Sequence, residues 1–414
     1  MVAQNFSGQN LVGNNFSGQN LNGSTFFKAR LENVLFTPNA AGTRTQLRST
    51  DFGEAFLLNV NASNAIFAPN ANFTQPATLS KATLENVNLS GADLTKANLS
   101  LISTKDINLS NANLTEANLR EANLSGEQSD RANLAGANFT RADLSLAKLK
   151  AADLTGAKLE NANLAGADFE ATLFVNVDAT GAQFSSTTSL TDLTLSNSIF
   201  NLANLSGVTL TDTAPPAGIT QTSSSFRGAN LTNFKAEDVN LAGANFSSFN
   251  GTVTQLTNAN LADSELNGAI FTQVSAEDIF LEGADLSGAN FTGANLSGAK
   301  LKGANLSNAD LSGVDLTGAD LSEAILTGAQ LDDALLNGAN LSKANLTGAI
   351  LSDGSDANSL GANLTSITFV DGIANNANFS NALLVNANLS KANFTGANLT
   401  GADLTGSITV DTIF

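Results

Sequence analysis

Residues 281–351 read LEGADLSGANFTGANLSGAKLKGANLSNADLSGVDLTGADLSEAILTGAQLDDALLNGANLSKANLTGAIL. Every fifth residue is Leu or Phe without a break, from Leu281, Leu286 and Phe291 to Leu351. From Leu286 onward Ala stands two places before each of these centres (Ala284, Ala289, Ala294 and their successors), with Val314 the one substitute. Asn or Asp mostly precedes the centre, Ser or Thr mostly follows it, and Gly often comes next.

A period of five fits neither standard element. On an α-helix five residues advance the direction by about 140°, so the centres would scatter around the cylinder. On a flat strand an odd period sends alternate centres to opposite faces. All centres reach one interior only if the chain turns a corner every five residues. Asn, Asp, Ser and Gly suit those corners, because they tolerate turn geometry and satisfy local backbone groups. The stretch therefore predicts an all-β solenoid of short strands and tight turns.

The A-[DN]-L-[ST]-x motif resembles the pentapeptide repeat family, and the resemblance covers nearly the whole chain. It implies a right-handed quadrilateral parallel β-helix, four pentapeptides to a coil, with the centre and the preceding Ala pointing inward. Leu286, Phe291, Leu296, Leu301, Leu306, Leu311, Leu316 and Leu321 are then expected to stack as core. The residues themselves hint at a twenty-residue coil: Phe226 and Phe246, then Phe271 and Phe291, are spaced to stack. A charge at Leu311 should be costly, and one at Ser312 nearly silent.

Outward from this stretch the repeats fill residues 1–414 as one continuous solenoid, whose core grows in one dimension. Register breaks or loops are expected near 37–46, 68–78, 185–194, 211–225 and 352–361, the fourth marked by Pro215–Pro216, which cannot sit in a strand ladder. Thr104 and Ser129 are weak centres. Because the count of five is kept around them, they read as blemishes within coils rather than insertions.

The first repeats depart from the rule: Gln4, Gln9, Asn14 and Gln19 occupy the inward place usually held by Ala. Buried amides there must satisfy their own hydrogen bonds, as a Gln/Asn ladder does. They read as a polar cap or as a docking face. At the other end Ile408, Val410, Ile413 and Phe414 alternate with polar residues and read as a closing strand.

The formal charge is −18. Residues 1–78 carry four basic groups (Lys28, Arg30, Arg44, Arg48) against three acidic ones, whereas residues 226–414 carry six against nineteen. An acidic chain without a basic stripe argues against nucleic acid as partner. With no Cys and no His, neither a disulfide frame nor the commonest metal and acid–base ligands exist. Asp, Glu, Ser and Thr recur where the repeat needs polar turns, so no catalytic, cofactor-binding or metal constellation is read. Asp353, Asp356 and Asn358 lack the ordered spacing of a calcium loop. Nothing resembles a membrane span or a signal peptide, so a soluble protein of open location is expected, exported only if a leader has been removed.

The acidic positions show an economy. Asp93, Asp143, Asp153, Asp168, Asp285, Asp310, Asp315 and Asp320 each precede a centre. Twenty residues on stand Asn113, Asn163, Leu173, Thr188, Asn305, Gln330, Leu335 and Asn340, so Asp is not expected to stack on Asp; Glu265 before Asp285 is the nearest exception.

These features point to a non-enzymatic rod whose partner is a second copy or another protein. The first reading is end-to-end self-association into an oligomer or fibre, through uncovered strand edges. Its contacts would be Gln4, Gln9, Asn14 and Gln19 at one end and Ile408, Val410, Ile413 and Phe414 at the other. The resemblance implies an alternative, an acidic DNA-mimicking rod that binds DNA gyrase or topoisomerase; a general protein-interaction scaffold is a third reading.

Overall fold

The residue before each centre bridges its counterpart one coil further on, always in parallel. Four such rows arise in turn around a coil: Asp285–Asn305, Asn290–Asp310, Asn295–Asp315 and Lys300–Asp320. Two backbone bonds make each step. The Leu286 N–H donates to the Asn305 carbonyl (2.7 Å) and the Asn305 N–H to the Ala284 carbonyl (2.9 Å). A third closes the corner, from the Ala289 N–H to the Leu286 carbonyl at 3.0 Å, across Gly288 with φ +65°. A positive φ at this place suits Gly, yet Glu323, Lys343 and Asp371 adopt it as well.

The computed structural model describes residues 3–127, 131–213, 222–352 and 362–414. They fall into two units, Met1–Asn204 with Asp212–Gln221, and Leu205–Thr211 with Thr222–Phe414. Each is a right-handed quadrilateral β-helix. On one side of the first unit the rows lengthen into a five-stranded parallel sheet of β1 (Asn10–Val12), β2 (Arg30–Glu32), β3 (Phe56–Leu58), β4 (Thr83–Glu85) and β5 (Ser103–Lys105), in that order. Among the described residues no helix is long and apolar enough to cross a membrane.

The interior is built as the repeat dictates. Leu286, Phe291, Leu296, Leu301, Leu306, Leu311, Leu316 and Leu321 are each at most 1% exposed, as are Ala284, Ala289 and Val314. Each buried Leu contributes roughly 1.5–3 kcal/mol. Where Ser or Thr replaces the inward Ala, the hydroxyl finds a carbonyl: Ser264 Oγ donates to Ala236 (2.7 Å) and Thr172 Oγ1 to Leu149 (2.9 Å). A buried hydroxyl without such a partner would be destabilising.

Bridge spacings locate the insertions. The step of twenty rises to 26 at Asn20–Gln46, 27 at Asp51–Thr78, 21 at Asp168–Ser189 and 28 at Leu335–Asn363; the breaks expected near 211–225 and 352–361 fall largely outside the described residues. Two further steps are 25: Asn108–Asn133 and Asn230–Gln255. An insertion of five leaves the pentapeptide phase untouched, so counting cannot see it. Thr104 is a true centre, paired with Leu84, and its Oγ1 donates to the Asn123 carbonyl. Ser129 lies outside the described residues; the bridges on either side of it, Asn108–Asn133 and Asn123–Lys148, step by 25.

The second insertion carries the two-residue turn Asn250–Gly251, with φ of +50° and +81°, closed by paired bonds between Phe249 and Thr252. Asn-Gly suits such a turn because both residues need positive φ. The insertion also brings Phe246 beneath Phe271, 4.7 Å between centroids and 5° between planes. With Phe226–Phe246 (5.2 Å) and Phe271–Phe291 (4.6 Å) it completes a four-ring stack inside the second unit.

Candidate interaction surfaces

Gln4, Gln9, Asn14 and Gln19 do not form a buried ladder: all four are exposed. Their coil has no coil beneath it within the chain, so the amides turn to the strand edge. Gln9 Nε2 donates to the Asn5 carbonyl (3.1 Å) and Gln19 Nε2 to the Asn15 carbonyl (3.2 Å). Two edge carbonyls are thus occupied by side chains of the same coil. In the last coil Ile408, Val410, Ile413 and Phe414 are 50–60% exposed, and the Phe414 ring stacks on Phe394 at 5.6 Å.

The cations of the first segment are engaged within their own unit. Lys28 pairs with Glu54 (3.5 Å) and Arg30 with Glu32 (3.1 Å). Arg44 donates to the Asn64, Ala65 and Gly91 carbonyls, and Arg48 to the Ala68 carbonyl. Each guanidinium thereby fastens an inserted loop to neighbouring coils.

The acidic rows are structural in the way the spacing suggests. The carboxylate before a centre accepts the backbone N–H two residues on, as in Ser312 N to Asp310 Oδ1 (3.0 Å) and Ser287 N to Asp285 Oδ1 (3.1 Å). This Asx bond holds the turn. Seven of the eight anticipated neighbours are bridge partners; the eighth, for Asp168, is Ser189 rather than Thr188, because an extra residue enters between them. Asn163, Asn305 and Asn340 each donate to the Asp one coil before at 3.0 Å. Glu265 does bridge Asp285.

Ser312 is not a silent place for a charge. Its Oγ donates to Asp310 Oδ1 at 2.6 Å, so an Asp there would set two carboxylates together and lose that bond. Glu277 accepts from three side chains, Thr257 (2.9 Å), Ser275 (2.6 Å) and Asn295 (2.7 Å). Burial acts to raise its pKa, but the Ser275, backbone and Thr257 hydrogen bonds together hold it below the ordinary value.

Asp332 shows the opposite balance. Burial pushes its carboxyl up, Asp333 and Asp310 add repulsion, and the bond from Ser352 only partly offsets them. A folded-state pKa above the unfolded value means the ionised group destabilises the fold at neutral pH, and that this penalty fades as pH falls through the folded pKa. Asp332→Asn should therefore raise the melting temperature at neutral pH, with the gain shrinking in acid. Thermal melts at several pH values check it; an Asn variant that melts lower at neutral pH would contradict the balance described.

The first insertion of five borders a groove of about 550 Å³ in the first unit. Glu127, Arg131, Lys150, Glu170 and Asp192 line it. Arg131 Nη1 donates to the Ala171 carbonyl (2.7 Å), and Lys150 pairs with Glu170 at 2.6 Å. Its charges are thus largely met within the groove. Among the described residues no three His, Cys, Asp or Glu come together to hold a metal ion. Asp353, Asp356 and Asn358 lie outside the described residues.

Comparison with known proteins places this architecture. The chain is similar to a solved structure of HetL, a pentapeptide repeat protein involved in heterocyst differentiation regulation from the cyanobacterium Nostoc sp. strain PCC 7120. That match is 25% identical over 65% of this chain and 86% of that one, with a TM-score of 0.23. A pentapeptide repeat protein from the Arabidopsis thaliana thylakoid lumen matches at 31% identity over 24% of this chain and 69% of its own, TM-score 0.22. Full-length QnrB1, a plasmid-mediated fluoroquinolone resistance protein, matches at 17% identity over 57% and 93%, TM-score 0.23. No curated protein matches. The family model described as pentapeptide repeats (8 copies) matches residues 70–101, 105–126, 130–188, 224–353 and 375–408. With well over half of its residues matched, the chain belongs to the pentapeptide repeat family.

Proposed function

We propose that this protein is a non-enzymatic scaffold that self-associates and presents fixed rows of side chains to its partners. One observation carries the reading: the half-buried or exposed residue before each centre stands in a bridged row, over a core of stacked Leu and Phe that is buried throughout except in the terminal coils. Successive places in a row are about 4.8 Å apart. Such a surface is rigid, so a partner with matching spacing binds without ordering it first.

End-to-end stacking through Gln4, Gln9, Asn14 and Gln19 against Ile408, Val410, Ile413 and Phe414 draws support from the exposed apolar side chains of the last coil. It draws less from the first coil, where Gln9 and Gln19 already occupy edge carbonyls. DNA mimicry toward gyrase or topoisomerase draws on the acidity of the second unit. Against it, Asp285, Asp310, Asp315 and Asp320 stand on four different sides rather than along one.

Sedimentation velocity over a hundredfold concentration range tests the proposal. Concentration-dependent growth in mass is expected, and a monomer throughout would overturn self-association. A supercoiling assay with purified gyrase is expected to show no inhibition; clear inhibition at micromolar protein would turn the reading toward mimicry.

A further inference from the structure

One edge of the second unit has a period that the fold does not require. Glu323, Lys343, Asp371, Lys391 and Asp411 take the same place on one corner of successive coils, Lys302 stands one place earlier on that corner of the coil before, and all are exposed. Backbone bonds establish the stacking: Glu323 N–H to Ser342, Lys343 to Val370, Asp371 to Ser390 and Lys391 to Val410, at 2.8–3.1 Å. The last five share positive φ values between 55° and 62°, so their side chains leave the corner in the same way. Charge sign alternates at every step.

The flanking residues alternate in phase with the charges. Two places after each acid stands an exposed Ile: Ile325, Ile373 and Ile413, at 42%, 40% and 55%. Two places after Lys343 and Lys391 stands Asn345 or Asn393, in the same bridged row. Val370 and Val410 precede Asp371 and Asp411, Ser322 precedes Glu323, and Ser342 and Ser390 precede Lys343 and Lys391. The edge is therefore banded, acid with aliphatic neighbours, then lysine with polar neighbours.

A β-helix needs only a one-coil period. Avoiding like charges in adjacent coils explains the alternation of sign, but not why Ile follows every acid and Asn the lysines. Nor do the charges neutralise one another fully within the chain: Lys302 reaches Glu323 at 3.9 Å, and the other four form no ion pair among the described residues.

A lysine band is the complement of an acid–aliphatic band. Its ammonium meets the carboxylate while its methylene stem lies over Ile or Val. We infer that this edge docks against the same edge of a second copy, antiparallel, about a two-fold axis midway between the coils of Lys343 and Asp371. Each acid band then faces a lysine band. Lys343 meets the partner's Asp371, Lys391 meets the partner's Glu323, and Lys302 meets the partner's Asp411. Such a contact is isologous and closes as a dimer. It spans five coil steps, about 24 Å, and its exposed charges make it weak and salt-sensitive.

The inference rests on the self-association proposed above and names its surface. The test is sedimentation equilibrium of the full chain at low ionic strength, with melts confirming that each variant folds. Lys343→Glu and Asp371→Lys should each weaken dimerisation tenfold or more, because each sets like charges face to face. The double variant should regain it, and an equimolar mixture of the two single variants should form a heterodimer. If a single variant folds poorly, Lys343→Gln and Asp371→Asn carry the same test with a smaller loss. A wild-type dimer unaffected by either charge reversal would overturn this surface and leave self-association standing. Single variants that fail to pair when mixed would overturn it too. A wild-type monomer at every concentration would overturn both.

Discussion

Leu311→Asp should be the most damaging single change in the second unit. Leu311 is fully buried, in a column between Phe291 and Leu331 of the neighbouring coils, which are buried as well. Truncation to Ala alone would cost about 2–5 kcal/mol, the lost transfer energy plus the cavity. Asp adds a carboxylate with no partner in an apolar interior, which raises the cost further or forces the group to stay protonated. Because coils contact mainly their neighbours, the loss should appear first as local opening around residues 291–331. Hydrogen exchange would show protection falling there before the rest of the unit, and a urea melt would give the total. Ser312→Ala, which removes only the hydroxyl bond to Asp310, is the control, with an expected loss of about 0.5–1.5 kcal/mol. Equal losses at the two positions would refute the inward assignment of the centres.

Gly372→Ala should destabilise by about 1–3 kcal/mol, although it restores the residue that the repeat places there almost everywhere else. Gly372 stands two places before the centre Ala374, and its φ is not in the left-handed region. On backbone grounds alone Ala would stabilise by about 0.4–1 kcal/mol. The obstacle is Phe369, whose ring occupies the place of the missing methyl. The ring itself is 2% exposed and packs edge-on to Phe394 at 5.7 Å. One large centre thus compensates a small centre and a missing methyl beside it. Phe369→Leu should cost stability in the wild type and much less in the Gly372→Ala background. The double-mutant cycle should give a coupling of about 1 kcal/mol or more. Additive losses would mean that the two sites do not compete for this space.

The coil itself was legible because it is a local rule. Period five excludes helix and flat strand by geometry, and the Ala and Leu places follow from which side chains must point inward. The stacking of Asn305 over Asp285 and of Asn340 over Asp320 was legible for the same reason, since an uninterrupted coil converts a spacing of twenty into a neighbour. Thr188 missed by one residue where the coil lengthens to 21. The exposed edge from Lys302 to Asp411 was also present in the sequence, but its signal is a period of two coils across insertions. It emerges only when residues 343 and 371 are known to be neighbours.

By itself the sequence determined the fold class, the inward and outward places, the acidic economy of the rows, and those insertions whose length is not a multiple of five. Only the tertiary structure decided the rest. It showed that five residues are spliced in between Asn108 and Asn133 and again between Asn230 and Gln255, and so that Phe246 lies beneath Phe271. It turned Gln9 and Gln19 from a buried ladder into caps on edge carbonyls, and it engaged Arg44 and Arg48 with carbonyls of their own unit. The physical reason is common to all of these. A pentapeptide states which way its side chains point, but which pentapeptide it rests on depends on the length of chain between them, and a phase of five is blind to an insertion of five.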